Sequence, residues 1–419
     1  MTLRQSIEIG PFTFTVLRIL IAVGLVRIVV RRERLTGGWN GLDSLIVMWG
    51  LWLAAASVFH ENISTTVVTH LGFVYNVWGI YFLLRFFCTS LDDFVPLCRA
   101  AALVLLPVAL EMVYEQVAFH NLFSVLGGVP AIPDVRDGRI RATGPFAHSI
   151  LAGTVGGVTL PLMMGVWRTH RMTACLGILT CSTMVVASAS SGPLMSSAVG
   201  VSAVCLWRFR GYTRAFRWSL VAAYFVLLLV MSRPPYYLIQ RFELVGGSTG
   251  WYRARLIESS IEHIDEWWFA GTDYTRHWMQ YNVTSANHTD ITNHYLFLGV
   301  MGGLPLVMFH LGILAAAFSF IGRGLIKGGD SSRPIEQQFM LWAFGSALVA
   351  HVVTNISVSY FDQSFLFLYL VLAAVGSSLA SKQPLEIEHA VRSAWRTPRL
   401  DSAPNPPSLS RMPARQRVQ

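Results

Sequence analysis

"DITNHYLFLGVMGGLPLVMFHLGILAAAFSFI", residues 290–321, decides how the rest of the chain is read. A polar run containing Asp290, Thr292, Asn293 and His294 abuts an apolar stretch long enough to cross a hydrocarbon core of about 30 Å. Comparable apolar runs recur along the chain, about eleven by the usual twenty-residue criterion. They centre near 11–30, 42–59, 66–87, 96–114, 146–167, 172–189, 192–207, 217–232, 292–321, 337–355 and 360–380. Of the 419 residues, 53% are hydrophobic and only 13% charged, with a mean hydropathy of +0.49. In lipid a backbone must satisfy its own polar groups, which leaves helices or closed barrels. These runs predict an all-α, polytopic transmembrane helix bundle of about 11–12 spans. The first run is too long for a signal peptide and lacks a small-residue cleavage site.

Basic residues orient the bundle. Arg31, Arg32 and Arg34, then Arg168 and Arg171, then Arg208, Arg210, Arg214 and Arg217, then Arg323, Lys327 and Arg333 all fall on one side if the spans alternate. That side reads as cytoplasmic, and the N-terminus as outside, so either one helix was miscounted or the start lies one helix late. Residues 1–380 form the membrane domain; the Pro-, Ser- and Arg-rich segment 381–419 reads as a disordered cytoplasmic tail drawn to anionic lipid. The net charge of +9 comes mostly from these cytoplasmic positions and gives no reason to expect a nucleic-acid partner. Five cysteines lie in or beside spans, so no disulfide framework is expected.

Two outside segments break the charge rule: 115–145 carries three arginines and 233–291 carries five. An anionic ligand would account for positive charge on that side. Within the large loop 233–291, "WYRARLIESSIEHIDEWW" (251–268) has helical periodicity. Ile257, Ile261, Ile264 and Trp268 form its expected inward stripe, with Arg253 one turn earlier. Arg255 falls on the opposite face beside Glu258, Glu262 and Glu266, as a solvated, salt-bridged surface residue. An inward cation at a membrane boundary suits a phosphate, with snorkelling to headgroups as the alternative. In "GRIRATGPFAHSILAGTVGG" (138–157), Arg141 precedes Gly144-Pro145, where a helix is expected to start with amides free for an anion. His148 is placed in that first turn, and Gly153, Gly156 and Gly157 allow close approach of a helix or a lipid chain. Interface anchoring is the alternative for Arg141, and a satisfied polar position between helices the alternative for His148. In the opening stretch, Asp290 is expected to cap the helix, Asn293 to support it, and His294 to lie one turn deeper, where polar groups tend to be functional. Arg276 joins Asp290, Asn293 and His148 as a candidate substrate contact.

"RATGPFAHSILAGT", "TGWYRARLIESSIEHIDEWWFAGTDY" and "DITNHYLFLGVMGGL" occur in that order. Together they resemble the O-antigen ligase and Wzy-type polysaccharide polymerase superfamily, over roughly residues 60–375. The resemblance implies a bacterial inner-membrane, multi-pass glycosyltransferase working on the periplasmic face. Its donor would be a glycan on undecaprenyl pyrophosphate. Its acceptor would be a hydroxyl of lipid A-core or of a second lipid-linked glycan. Carried over, Arg141 and Arg253 would bind the pyrophosphate and His294 would sit at the catalytic centre. The sequence departs from the pattern at "ASSGPL" (189–194), where many relatives carry a Ser-Arg turn; this counts against the ligase branch.

The residues themselves suit such a transfer. A pyrophosphate leaving group needs charge stabilisation and an oriented nucleophile, which arginines and a histidine can supply. The outside loops contain no Asp-x-Asp, so no metal and no cofactor is expected in the reaction. Asp92-Asp93 reads as a structural loop feature. The competing expectation is a transporter or flippase for a lipid-linked oligosaccharide, which would use the same arginines only to bind. Such a protein should line a mid-membrane path with charges or broken helices. Here the in-span charges Arg18, Arg27, Arg85, Arg99 and Glu111 sit mostly near span ends, where snorkelling suffices.

Overall fold

The computed structural model describes residues 5–9, 12–35, 37–241, 250–280, 287–326 and 334–380; the expected tail 381–419 lies outside them. A short hairpin, β1 (Ser6–Ile9) and β2 (Phe12–Thr15), precedes α1 (Val16–Arg31). There follow α2 (Gly41–Ala56), α3 (Ile63–Phe87), α4 (Phe94–Ala118), the hairpin β3 (Asp134–Arg136) and β4 (Arg139–Arg141), α5 (Ser149–Gly165), α6 (Arg171–Ala187), α7 (Ser191–Cys205) and α8 (Thr213–Val230). Then come α9 (Gly250–Glu262), α10 (Ile264–Trp267), α11 (His294–Ile326), α12 (Ile335–Ser357) and α13 (Phe365–Ala380). Among the described residues, seven helical stretches are long and apolar enough to cross a membrane, one of them running through α7 and α8 together. The protein is a multi-pass, all-α helical bundle.

Helix α5 is the axis of the bundle. Nearly every residue from Ser149 to Gly165 is buried, with α6, α7 and α12 packed around it. Close packing requires its glycines: a Cβ at Gly156 would stand 2.6 Å from the Cys181 carbonyl oxygen of α6. The open choice between a helix and a lipid chain against this face thus resolves to helices.

The loops after α2, α4, α6, α8 and α12 meet at one end of the bundle. His60 pairs with Asp273, Arg141 with Ser190, and Asn293 with the Ile356 carbonyl. At the other end Arg85 joins the α1–α2 connection to α2 and α13. Its guanidinium bonds Asp43 at 3.0 Å, the Gly38 carbonyl at 3.1 Å and Ser377 Oγ at 3.3 Å, and Tyr81 donates to Asp43 at 2.6 Å. Arg85 does not snorkel: it and Asp43 are both fully buried, and burial of either charge requires the other.

The expected straight span over 292–321 is not what forms. In α11 the backbone leaves helical geometry at Gly302 and Gly303. A straight helix would separate His294 from His310 by about 24 Å. Instead their ring centroids are 5.5 Å apart, and Tyr295 also packs on His310 at 5.9 Å. Residues 294–301 therefore fold back along the arm that begins at 304. Groups freed at the bend find partners on other elements. Trp52 Nε1 donates to the Gly302 carbonyl at 2.7 Å, Leu304 N to Trp268 O at 2.8 Å, and Thr272 N to Val300 O at 2.9 Å. Gly303 has φ +72°, and a Cβ there would lie 2.1 Å from Phe269 O. Gly303→Ala should cost about 1–3 kcal/mol or misplace the loop. Gly312→Ala, with nothing nearer than 3.9 Å, should be neutral in the same thermal unfolding measurement.

Candidate anion-binding site

The β3–β4 hairpin and helix α9 bring the arginines together. Asp137-Gly138 turns β3 into β4 with φ +49° and +72°, the positive values that a two-residue hairpin turn needs. Its register pairs Asp134 with Arg141 and Arg136 with Arg139, putting all four on one face. Behind it, Glu115 of α4 accepts the amides of Thr143 at 2.9 Å and Gly144 at 3.0 Å. This corrects the expectation of free amides at Gly144-Pro145. Helix α5 starts later, at Ser149, and His148 is its N-cap, taking the Ile150 amide on Nδ1 at 3.2 Å.

Arg141 is buried, donating to Asp134 at 3.1 Å and Ser190 Oγ at 2.9 Å. Ser190 belongs to the stretch that lacks the expected arginine, so that turn supplies a hydroxyl to Arg141. Arg253 of α9 is also buried, with no salt-bridge partner among the described residues. The Nε–H of each guanidinium is buried without an acceptor among the described residues. Burial holds both guanidinium pKa values below their ordinary range; Arg136, missed in the sequence, lowers both further, while Asp134 opposes this at Arg141 and Asp290 at Arg253. The Asp-Gly turn was the signal that could have located Arg136. His148, exposed at the edge, is held below its usual value first by surrounding protein and then by Arg141.

The helical face that carries Arg253 differs from the expected stripe. The segment splits into α9 and α10 at His263, and Tyr252, Leu256, Ser259 and Trp267 face inward. Ile261, Ile264 and Trp268 are exposed. The contrast between the two arginines nonetheless holds: Arg255 is half exposed and pairs with Glu258 and Glu262. Arg276 turns into its own loop, donating to the Met279 carbonyl at 3.1 Å, and does not join the cluster.

Asp290 is not the helix cap. Asn293 takes that role, accepting the Leu296 amide at 3.1 Å. The expected shared helical face of Asp290, Asn293 and His294 is lost because the helix starts at His294. Asp290 is left with a carboxylate open to solvent, and its carbonyl accepts from Tyr252 Oη at 2.7 Å. Surrounding protein raises its pKa and Arg253 pulls it down, with the net shift upward.

His294 lies in a second layer, buried against Phe297, His310 and Tyr360. Its Nδ1 accepts the Tyr360 amide at 3.1 Å. A backbone N–H can only donate, so the ring is neutral and its proton sits on Nε2, for which the described residues supply no acceptor. Tyr360 is itself held by His351 Nδ1, 2.7 Å from its hydroxyl. The histidine does not touch the arginines. Four residues of chain separate it from Asp290, a reach of at most about 14 Å. From Tyr360 the chain runs on to Gln363, which donates to the Pro145 carbonyl at 3.4 Å. Gln363 thus ties the turn after α12 to the 145–148 turn, at the same end of the bundle as the arginines.

Asp93 accepts the amides of Thr89 and Ser90, the structural loop role expected of it. A cavity beside Asp92, Thr169 and Glu336 shares no residue with the cluster. No family model and no curated protein matches the chain.

Arg253→Gln should weaken binding of pyrophosphate, read by titration, at least about tenfold, one charge-assisted bond or more. Arg255→Gln should change it less than about twofold. Protonating Asp290 removes a negative charge beside Arg253. Binding should therefore strengthen as pH falls through the raised Asp290 pKa, and Asp290→Asn should flatten that dependence.

Proposed function

We propose that the protein is a membrane glycosyltransferase that moves a glycan from undecaprenyl pyrophosphate to an acceptor hydroxyl on the periplasmic face. The product would be a polymerised or ligated surface polysaccharide, made with inversion and without a metal in the transfer step. The observation that carries this reading is the pair of buried arginines whose Nε–H groups find no acceptor among the described residues, backed by Arg136. A buried donor left unpaired is costly, and a di-anionic phosphate group would satisfy both. The motif order resembling the polymerase and ligase superfamily supports the same assignment.

In the proposed step the acceptor oxygen forms a bond to the anomeric carbon as the bond from that carbon to the phosphate oxygen breaks. Undecaprenyl pyrophosphate leaves with the electron pair, and Arg141, Arg253 and Arg136 stabilise the charge it gains. His294 would act as a hydrogen-bond donor through Nε2 rather than as the base, because its other nitrogen is committed to Tyr360. Of the two exposed acids of the site, Asp134 is paired with Arg141 and Asp290 would take the acceptor's proton; its raised pKa makes it a stronger base than an ordinary aspartate.

A transporter could use the same arginines, and the broken α11 is a feature such proteins share. Here the groups freed at the break are occupied by Trp52, Trp268 and Thr272 instead of facing a ligand space, which favours an enzyme.

The decisive experiment is reconstitution with an undecaprenyl-pyrophosphate oligosaccharide, offering lipid A-core or a second lipid-linked glycan. A ladder of repeats marks a polymerase and a single transfer to core a ligase; no product with either, despite bound donor, rejects the enzyme. His294→Ala should lower the rate about 100-fold or more. His294→Gln, whose amide can donate from near the Nε2 position, should recover part of that. Equal loss in both variants would return the histidine to the role of base.

A further inference from the structure

Away from the arginines, α10 and the turn Arg276–Trp278 bring His263, Glu266 and His277 together. Each offers one ligand atom, and these atoms lie within 4.8 Å of one another. We infer that these three side chains form a zinc-type site, two imidazoles and a carboxylate, that clamps the α9–α10 junction to the 276–278 turn. The inference stands on these residues and is independent of the proposed glycosyl transfer.

Each ligand is already oriented by a neighbour, as metal ligands commonly are. His263 Nδ1–H donates to the Ser259 carbonyl at 2.8 Å, which fixes the tautomer and leaves the Nε2 lone pair free. Trp278 Nε1–H donates to Glu266 Oε2 at 3.0 Å, leaving Oε1 toward His277 Nε2 at 2.8 Å. The His277 ring stacks on Tyr274, with centroids 5.2 Å apart and planes 11° apart, and meets His263 edge-on at 4.8 Å.

Zinc bonds of 2.0–2.1 Å in a tetrahedron separate the ligand atoms by about 3.4 Å, so closure asks for side-chain shifts of little more than 1 Å. To bind a cation His277 must present its Nε2 lone pair, as the neutral tautomer with its proton on Nδ1, the ion then taking the place of the Nε2–Glu266 hydrogen bond. Three protein ligands leave the fourth position to water. Imidazole with carboxylate selects late first-row ions over Mg2+ or Ca2+, which prefer all-oxygen sets. Bound there, the ion would tie the exposed edge of the loop to the Trp267–Trp278 core beneath it, and so steady the helix that carries Arg253.

The test uses the full chain, purified on a histidine-free tag, stripped with chelator and titrated with Zn2+ against a chromophoric competitor. One Zn2+ per chain is expected, with a thermal midpoint that rises on binding and no equivalent response to Mg2+. His263→Ala, His277→Ala and the near-isosteric Glu266→Gln should each weaken binding at least about tenfold. Wild-type protein that takes up no Zn2+ would overturn the site. So would uptake unchanged in all three variants, which would place the metal elsewhere, for instance on a cysteine. The variants keep Arg141, Arg253 and His294, so loss of zinc with donor binding intact separates this inference from the reading of the active site.

Discussion

A membrane helix that bends at two glycines is the constraint on which the rest of this molecule depends. At Gly302 and Gly303 the α11 backbone leaves helical geometry and releases hydrogen-bonding groups that other elements must satisfy. Trp52 from α2 takes one carbonyl, and the stretch 268–272 takes the neighbouring carbonyl and amide through its own backbone. The loop that carries Arg253 is thereby stitched into the bundle by main-chain bonds that do not depend on side-chain identity. The same bend returns residues 294–301 alongside the following arm and so buries His294 against His310. One local departure from helical geometry thus fixes both the position of α9 and the burial of the histidine.

Charge is arranged so that the positive groups are buried and the balancing acids are not. Arg141 and Arg253 lie beneath the surface, whereas Asp134 and Asp290 are open to solvent. Glu115, which could have neutralised the cluster, is spent on the Thr143 and Gly144 amides and serves to hold the β4–α5 connection in place. Buried like charges destabilise a fold unless something offsets them. The cost is tolerated here because the hairpin register, the Ser190 hydroxyl and the α9 packing around Tyr252 hold the guanidinium groups where they are. An anion entering that space would meet donors already oriented, and would lose little to reorganisation.

Much of this was legible in the sequence because hydropathy over twenty residues is a strong signal, and helices lie under the expected spans. The inward Arg253 and outward Arg255 were legible too, although for a partly mistaken reason. Periodicity selected the isoleucines as the buried stripe, but in a membrane-edge helix the apolar face can be left outward, as Ile261, Ile264 and Trp268 are. The buried face instead uses Tyr252, Leu256 and the small Ser259, with the serine hydroxyl bonded to the Trp278 carbonyl. The α11 bend was hidden for another reason. Gly-Gly-Leu-Pro within an apolar run is compatible with a continuous span, and only the partners at 52 and 268–272, distant in sequence, decide that it breaks. Arg85 was misread because its position near a helix end could not reveal Asp43 on α2, which Tyr81, one turn earlier on α3, also holds.

The histidine layer shows why a residue's chemistry cannot be inferred from its type and depth alone. An imidazole near a cationic site invites the role of base, and its ordinary titration range would suit that role. But the direction of one main-chain bond outweighs that expectation. With the Tyr360 amide pointing at Nδ1, the only proton on His294 faces the other way, and accepting a second would break the contact that fixes the ring. His351, by holding the Tyr360 hydroxyl, keeps that residue, and therefore its amide, in register. The neutral, donating state of His294 is thus set by the turn between α12 and α13. Beside Arg253, the carboxylate of Asp290 is left exposed because the helix starts later and Asn293 caps it.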